Sequence, residues 1–136
     1  MALIATILVA SAIVLFATYR IRSVGRIKGI GVDVYWDPDG TVPVIEIDWG
    51  LLDPGDLAGV TVFVKNTKNT NITLLLNSSS WDPPEAAQYL TLDWNYTGQV
   101  LAPEQIIPVQ VTLYVSLDIH DVDVFSFDIW VWAFES

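Results

Sequence analysis

Residues 52–67 read LDPGDLAGVTVFVKNT, and this stretch decides the fold class. Its Pro-Gly pair takes the two central positions of a type II turn. After the turn, valines occupy every second position from Val60 to Val64, and polar residues stand beside them at Thr61 and Lys65. A period of two is typical of a β-strand that buries one face. The stretch therefore predicts a turn that leads into a half-buried strand.

The same pattern continues from residue 30 to the C terminus. Apolar and polar residues alternate in short runs, and turn residues separate the runs roughly every 8 to 12 positions. No segment with the helical period of about 3.6 residues interrupts this order, which excludes an α/β fold. About seven strands are expected, in a two-sheet sandwich of the immunoglobulin type. In the last two of them the apolar positions are Ile107, Val109, Val111, Leu113 and Val115, and Phe125, Phe127, Ile129 and Val131. Residues 60–76 are expected to form a hairpin, and residues 78–88 an irregular crossing with one helical turn.

The first nineteen residues, Met1 to Tyr19, contain no charged side chain. As an α-helix they would be about 28 Å long, close to the roughly 30 Å of a bilayer's hydrocarbon core. A cleaved signal peptide is the alternative, but such a peptide begins with basic residues, and none precedes this apolar run. The predicted fold is therefore mainly β: a single N-terminal transmembrane-type α-helix followed by a seven-stranded immunoglobulin-like β-sandwich.

Small residues recur in the apolar segment and would let helices approach one another closely. They are Ala2, Ala5, Ala10, Ser11, Ala12 and Ala17. Such a helix could pack against its copies in the core of a filament, or it could be a plain anchor that faces lipid. Small residues alone do not decide between the two.

Charge divides the chain into three predicted parts. Four of the six basic residues lie close together: Arg20, Arg22, Arg26 and Lys28. All sixteen acidic residues lie from Asp33 onward. We therefore expect an apolar helix over residues 1–22, a basic neck over residues 23–29 and an acidic immunoglobulin-like sandwich over residues 30–136. Because nucleic-acid binding depends on basic side chains that neutralise phosphates, a nucleic-acid partner is excluded.

Two signals disagree about the compartment. The basic cluster follows the predicted helix, and by the positive-inside rule it would hold the β-domain in the cytoplasm. Three N-x-[ST] sequons, at Asn71, Asn77 and Asn95, instead favour an exported domain that carries N-linked glycans. We give the sequons more weight and expect a location at the cell surface.

Several stretches resemble known surface proteins. Residues 52–71 resemble prokaryotic immunoglobulin-like surface repeats, in which a Pro-Gly turn precedes a V-x-V-x-N-T-G-N hairpin. Lys68 stands where those repeats have Gly, so a longer loop is expected there. The motifs at residues 47–50 (IDWG), 81–84 (WDPP) and 125–129 (FSFDI) resemble small archaeal surface proteins with one N-terminal apolar helix. An apolar segment at the very start is also similar to a mature pilin. The resemblance implies a surface location and brings no catalytic residues.

The sequence offers little that could carry catalysis. His120 is the single histidine and lies in a predicted turn, and no G-x-S-x-G motif supplies a nucleophile for it. With no cysteine, the chain has neither disulfides nor thiolate metal ligands. We therefore expect neither an enzyme nor a cofactor.

Calcium is the one small ligand that the composition suggests. Ca²⁺ prefers several oxygen ligands, and five carboxylates lie on predicted turns. They are Asp37, Asp39, Asp118, Asp121 and Asp123. Their spacing matches no EF-hand, and solvated turn carboxylates would explain the same residues.

The last predicted strand is apolar on both faces. If Phe125 and Phe127 point into the core, then Trp130, Trp132 and Phe134 share the opposite face, which is polar in a solvated sheet. Trp and Tyr are common anchors of protein interfaces, which favours a role in binding. Two further aromatic residues, Tyr35 and Tyr114, are candidates to join this face. The alternative is that an overhanging loop, or the chain's own segment after the apolar helix, covers this face.

These expectations combine into a structural function. The leading hypothesis is a subunit of an archaeal extracellular filament of pilin type, in which helices form the core and glycosylated sandwiches form the outer wall. Its partners would be copies of itself, and the membrane before or instead of assembly, with the basic neck meeting carboxylates of neighbouring copies. The alternative is a monomeric, membrane-anchored surface domain that binds another surface component.

Overall fold

The computed structural model describes residues 21–136, which form eight strands and one short helix. The strands are β1 (Ile21–Ile30), β2 (Val32–Tyr35), β3 (Glu46–Leu52), β4 (Leu57–Asn66), β5 (Ile72–Asp82), β6 (Leu90–Trp94), β7 (Ile106–Val115) and β8 (Val124–Glu135). A 3₁₀-helix (Pro84–Gln88) connects β5 to β6.

The strands form two four-stranded sheets. The first sheet has the order β3-β1-β8-β5, and the second has the order β2-β4-β7-β6. In the second sheet the strands follow the A-B-E-D order of an immunoglobulin sheet, and β5 and β8 correspond to strands C and F. The last strand of that fold, G, has no counterpart. Its position beside β8 is taken by β1, which comes from the other end of the chain and runs parallel to β8.

The core lies between the sheets, and the period-two pattern locates it well. Every second residue of β8 is buried from Phe125 to Val131, and the same is true of β7 from Val109 to Val115. Both inward faces were predicted from the alternation and are confirmed. Trp81 adds an aromatic ring to this core, because it stacks on Phe127 with 4.1 Å between ring centroids.

The predicted fold class is wrong in its helix and in its strand count. Most of the predicted helix, including the six proposed packing residues, lies outside residues 21–136. Where helix and structure overlap, Ile21 and Arg22 belong to β1. Within residues 21–136 the only helical segment is the 3₁₀-helix, and none is long and apolar enough to cross a membrane.

The predicted basic neck is also wrong, because residues 23–29 form most of a central strand. Arg26 and Lys28 are exposed on the outer face of β1, and Ile27 is buried on the inner face. Two small inward residues, Ser23 and Gly25, hide the alternation that would have revealed this strand. Gly25 is small because the core is crowded there: a Cβ added to it would lie 2.9 Å from a carbon of Ile129.

The predicted hairpin between β4 and β5 does not form, because the two strands lie in different sheets. Residues 67–71 carry the chain from the second sheet to the first. The fully buried Asn66 stabilises this crossing, since its side-chain nitrogen donates to the backbone oxygens of Thr70 (2.8 Å) and Leu101 (3.1 Å). The region expected to be irregular begins later than predicted, because β5 extends to Asp82.

Candidate interaction face on the first sheet

The outer face of the first sheet carries an aromatic stripe, Trp130, Trp132 and Phe134, on β8. Alternation places these three residues opposite the buried face of the strand. Trp130 and Trp132 stack with 5.7 Å between ring centroids and 27° between ring planes. Phe134 follows at the end of the strand and is 50% exposed.

Neighbouring strands extend the stripe into a wider apolar surface. Ile30 of β1 and Leu75 of β5 lie directly opposite Trp132 on its two sides. They are 43% and 50% exposed, respectively. We call the five residues Ile30, Leu75, Trp130, Trp132 and Phe134 the apolar patch. Exposed apolar surface of this kind, with aromatic residues at its centre, is typical of sites where another molecule binds.

Polar contacts hold Trp130 in a defined orientation at one border of the patch. Its ring nitrogen donates to the hydroxyl oxygen of Ser79 at 2.8 Å. The ammonium group of Lys28 lies 5.0 Å from the centre of a Trp130 ring and 3.3 Å from the carboxylate of Asp128. Lys28 therefore pairs with an acidic residue of its own chain and is less available to pair with a carboxylate of a neighbouring copy.

Nothing in residues 21–136 lies over the patch to an extent that buries it. One alternative from the sequence was that the segment before residue 30 covers the aromatic stripe. Instead, this segment is β1, which lies beside β8 within the sheet and contributes Ile30 to the patch.

Tyr35 and Tyr114 do not join the stripe, because both lie on the second sheet. They are far apart there: Tyr35 is paired with Phe63 through β2 and β4, and Tyr114 is paired with Leu57 at the other end of β4. The hydroxyl of Tyr35 donates to the carboxylate of Asp33 at 3.0 Å. This hydrogen bond is the main reason why the pKa of Tyr35 is raised above its ordinary value.

The five calcium candidates are not brought together. Asp37 accepts hydrogen bonds from the backbone nitrogens of Thr41 and Val42, both at 2.9 Å, and therefore closes its own loop. Its hydrogen bond from the Thr41 hydroxyl contributes most to a lowered pKa. Asp118, Asp121 and Asp123 lie on the separate loop between β7 and β8. Among residues 21–136 there is no group of three or more side chains suited to hold a metal ion.

His120 lies on the same loop and has local contacts. Its Nδ1 atom lies 2.9 Å from the backbone oxygen of Asp118, and its ring meets the edge of Tyr89 with 5.4 Å between centroids. The contacts fit a residue that orders a turn.

The three sequon asparagines are exposed, and Asn77 lies on the outer face of the first sheet, where it pairs with Trp130. Asn71 precedes β5, Asn77 lies within it and Asn95 follows β6. β5 and β6 are edge strands of the two sheets. They lie on the same side, because the segment after β6 bridges to the start of β5 between Leu101 and Ile72. Each asparagine side chain is accessible to a modifying enzyme.

Sequence reasoning identified the stripe but missed Ile30, Leu75 and Ser79. Leu75 had a signal, because it stands in the middle of three consecutive leucines, and a strand can turn only alternate residues inward. Ile30 and Ser79 carried no such signal in the sequence. Their position beside the stripe follows from the order of the strands in the sheet, which a period-two pattern does not determine.

Comparisons with known proteins add no relative to this description. No protein-family model matches the chain, and no curated protein is significantly similar to it.

Proposed function

We propose that this chain is a structural subunit that assembles with copies of itself at the cell surface, through the apolar patch on the first sheet. The observation that carries the proposal is the aromatic stripe on a sheet face where polar residues are expected. An extracellular filament is the form of assembly we favour. All residues that support the proposal lie in the β-sandwich, within residues 21–136.

The composition of the patch supports an interface. Trp130 and Trp132 are large, stacked and only partly exposed, so a partner could bury them with little loss of side-chain freedom. The chain carries a formal net charge of −10 at pH 7. Net charge of this size limits unspecific contact between copies and leaves the apolar patch as the place where they can meet.

A second candidate function uses the same patch. The alternative is a surface domain that binds a different surface component through this patch. The two functions differ in one measurable property, which is association of the purified chain with itself.

The test compares patch variants of the full chain in one detergent. Leu75→Lys and Phe134→Lys change exposed side chains, so the fold is expected to survive. Leu117→Lys is the matched control, because Leu117 is 74% exposed on the loop between β7 and β8, away from the patch. Since residues 1–20 are common to all variants, a difference between them reports on the patch.

We expect the unchanged chain and Leu117→Lys to associate in sedimentation velocity, and the patch variants to associate at least about ten-fold more weakly. Equal association of all four proteins would show that the patch is not the interface. A monomeric chain that binds whole cells, and loses this binding with Leu75→Lys, would establish the second function.

A further inference from the structure

A β-bulge in β5 shapes the part of the first sheet next to the apolar patch. Ser79 pairs with Asp128 and Asp82 pairs with Ser126, so two residues of β5, Ser80 and Trp81, face the single residue between them on β8. Ser80 has a φ of 57°, in the left-handed region that residues other than glycine rarely adopt. The bulge reverses the alternation of the strand, and thereby turns Trp81 into the core and Asp82 to the outside.

A polar cleft results on the outer face. Its volume is about 310 Å³, and it is lined by Arg26, Ser80, Asp82, Ser126, Phe127 and Asp128. This volume is at the lower end of the range for small-molecule sites in proteins. The cleft adjoins Trp130, which is the next outward residue of β8 after Asp128.

The polar groups of the cleft are largely without partners. Within residues 21–136, the side chains of Arg26 and Asp82 make neither an ion pair nor a hydrogen bond, although both line the same space. The hydroxyls of Ser80 and Ser126 also make none. The cleft thus presents the guanidinium group of Arg26 as a hydrogen-bond donor and the carboxylate of Asp82 as an acceptor. The two serine hydroxyls can both donate and accept.

The charges around the cleft disfavour an ionic ligand. Arg26 and Lys28 are balanced by Asp82 and Asp128, and Glu46 faces Arg26 from β3. The three carboxylates would repel an anion such as phosphate, and the guanidinium group would repel a metal ion. A neutral ligand with many hydroxyl groups meets neither obstacle, because each hydroxyl can donate to a carboxylate and accept from Arg26.

We infer that this cleft binds a neutral saccharide. The bulge, the strained backbone at Ser80 and the unpartnered Arg26 and Asp82 form a site whose donors and acceptors match sugar hydroxyls. Backbone strain of this type is frequent at functional sites. The inference does not depend on self-association, since the cleft and the apolar patch are separate parts of one face.

The test measures binding of immobilised oligosaccharides of glucose, galactose and mannose to the full chain, beside sulfated and amine-bearing oligosaccharides. Asp82→Asn and Arg26→Gln remove one charge each from the cleft. Lys65→Gln is the control, because it removes one charge from a partly exposed residue on the outer face of the second sheet, where Lys65 pairs with Glu104 at 3.1 Å. Circular dichroism of each variant establishes that the sandwich is intact.

We expect at least one neutral oligosaccharide to bind, the two cleft variants to weaken its binding at least ten-fold, and Lys65→Gln to leave it unchanged. Failure of all neutral oligosaccharides to bind would overturn the inference. A preference for the charged oligosaccharides, or equal binding by the folded cleft variants, would overturn it as well.

The saccharide could be a separate glycan or the N-linked glycan of another copy. Protein made in a host without N-glycosylation separates these sources. If it binds the immobilised oligosaccharide and associates no less than glycosylated protein, the ligand is a separate glycan. If removal of the glycans abolishes an association that free oligosaccharide also inhibits, the ligand is the glycan of a neighbouring copy.

Discussion

Ser23 is a buried polar residue whose hydroxyl group lacks a partner. Its side chain is fully buried on the inner face of β1, and the oxygen makes no hydrogen bond with residues 21–136. A buried group of this kind has lost its water without compensation, at a cost of roughly 1 to 3 kcal/mol. We therefore expect Ser23→Ala to raise the free energy of unfolding by about 1 kcal/mol in urea denaturation.

Ser116→Ala serves as the control for this prediction. The hydroxyl of Ser116 accepts a hydrogen bond from the backbone nitrogen of Asp118 at 3.2 Å. Its removal is expected to lower stability slightly, in contrast to the gain at Ser23. A loss of stability in Ser23→Ala would mean that the hydroxyl of Ser23 is satisfied in solution, and the explanation would be wrong.

Asp37 makes part of the stability depend on pH. Hydrogen bonds from Thr41 and Val42 lower its pKa in the folded state, so the unfolded chain binds its proton more readily. The contribution is therefore fully present above the unfolded pKa of about 3.9, and it is lost as the pH falls through the lower folded pKa. Asp37→Asn should lower the melting temperature at pH 7 and have a smaller effect near pH 2.

Asp39→Asn is the comparison, because the side chain of Asp39 makes no hydrogen bond in the described part of the chain. We expect it to change the melting temperature little at either pH, as measured by thermal denaturation. A difference between unchanged chain and Asp37→Asn that stays constant from pH 7 to pH 2 would contradict the role given to the charge of Asp37.

Single residues also explain which parts of the fold could be predicted from the sequence and which could not. The alternation correctly predicted which residues of β7 and β8 are buried, because large apolar side chains mark the inward face. In β1 the inward positions are taken by Ser23 and Gly25, which carry no such signal. Alternation also does not predict that Trp81 packs into the core, since a bulge turns its ring inward.

At the level of elements, β1 is the feature that departs most from expectation. It lies between β3 and β8 and covers residues 21–30, where the end of the apolar helix and the basic neck were predicted. The predicted hairpin failed for a related reason. Period-two patterns identify strands, but they contain no information about which strands pair, and here both β1 and β5 pair with β8, the last strand in the sequence.

Gly25 provides a direct test that β1 is a core strand. A Cβ at this position would lie 2.9 Å from Ile129, 3.2 Å from Trp49 and 3.3 Å from Phe127. Overpacking of this kind costs about 1 to 3 kcal/mol, so Gly25→Ala should lower the free energy of unfolding by that amount in urea denaturation. An exposed neck at residues 23–29 would tolerate the change.

Gly59→Ala in β4 is the matched substitution. There the nearest atom is the side-chain nitrogen of Gln110, at 3.0 Å, and this flexible side chain can move aside. We expect no loss of stability, or a small gain, because alanine restricts the unfolded chain more than glycine does. Equal losses at both positions would show that the effect comes from the backbone and not from core packing.

On the scale of the whole molecule, different surfaces suit different roles. One outer face carries the apolar patch, the cleft and Asn77, and the side formed by β5 and β6 carries Asn71 and Asn95. The free edge of β5 is partly covered there, because the backbone nitrogen of Leu74 donates to the hydroxyl of Tyr96 at 3.0 Å. Glycans at Asn71 or Asn95 would add to that protection, whereas a glycan at Asn77, which pairs with Trp130, would lie beside the apolar patch.

Salt distinguishes two ways in which copies could associate. If the apolar patch is the interface, the main obstacle is repulsion between molecules of net charge −10. Raising the ionic strength from about 0.01 M to about 1 M shortens the Debye length from about 30 Å to about 3 Å and screens this repulsion. Association measured by sedimentation should therefore become stronger in salt.

The opposite salt dependence follows if basic residues of one copy bind carboxylates of another, because the same screening weakens attraction. Lys28 separates the two cases further. It already pairs with Asp128 of its own chain at 3.3 Å, so Lys28→Gln is expected to leave the sign of the salt dependence unchanged. If association weakens in salt and weakens further in Lys28→Gln, the interface consists of ion pairs and the apolar patch is not the main interface.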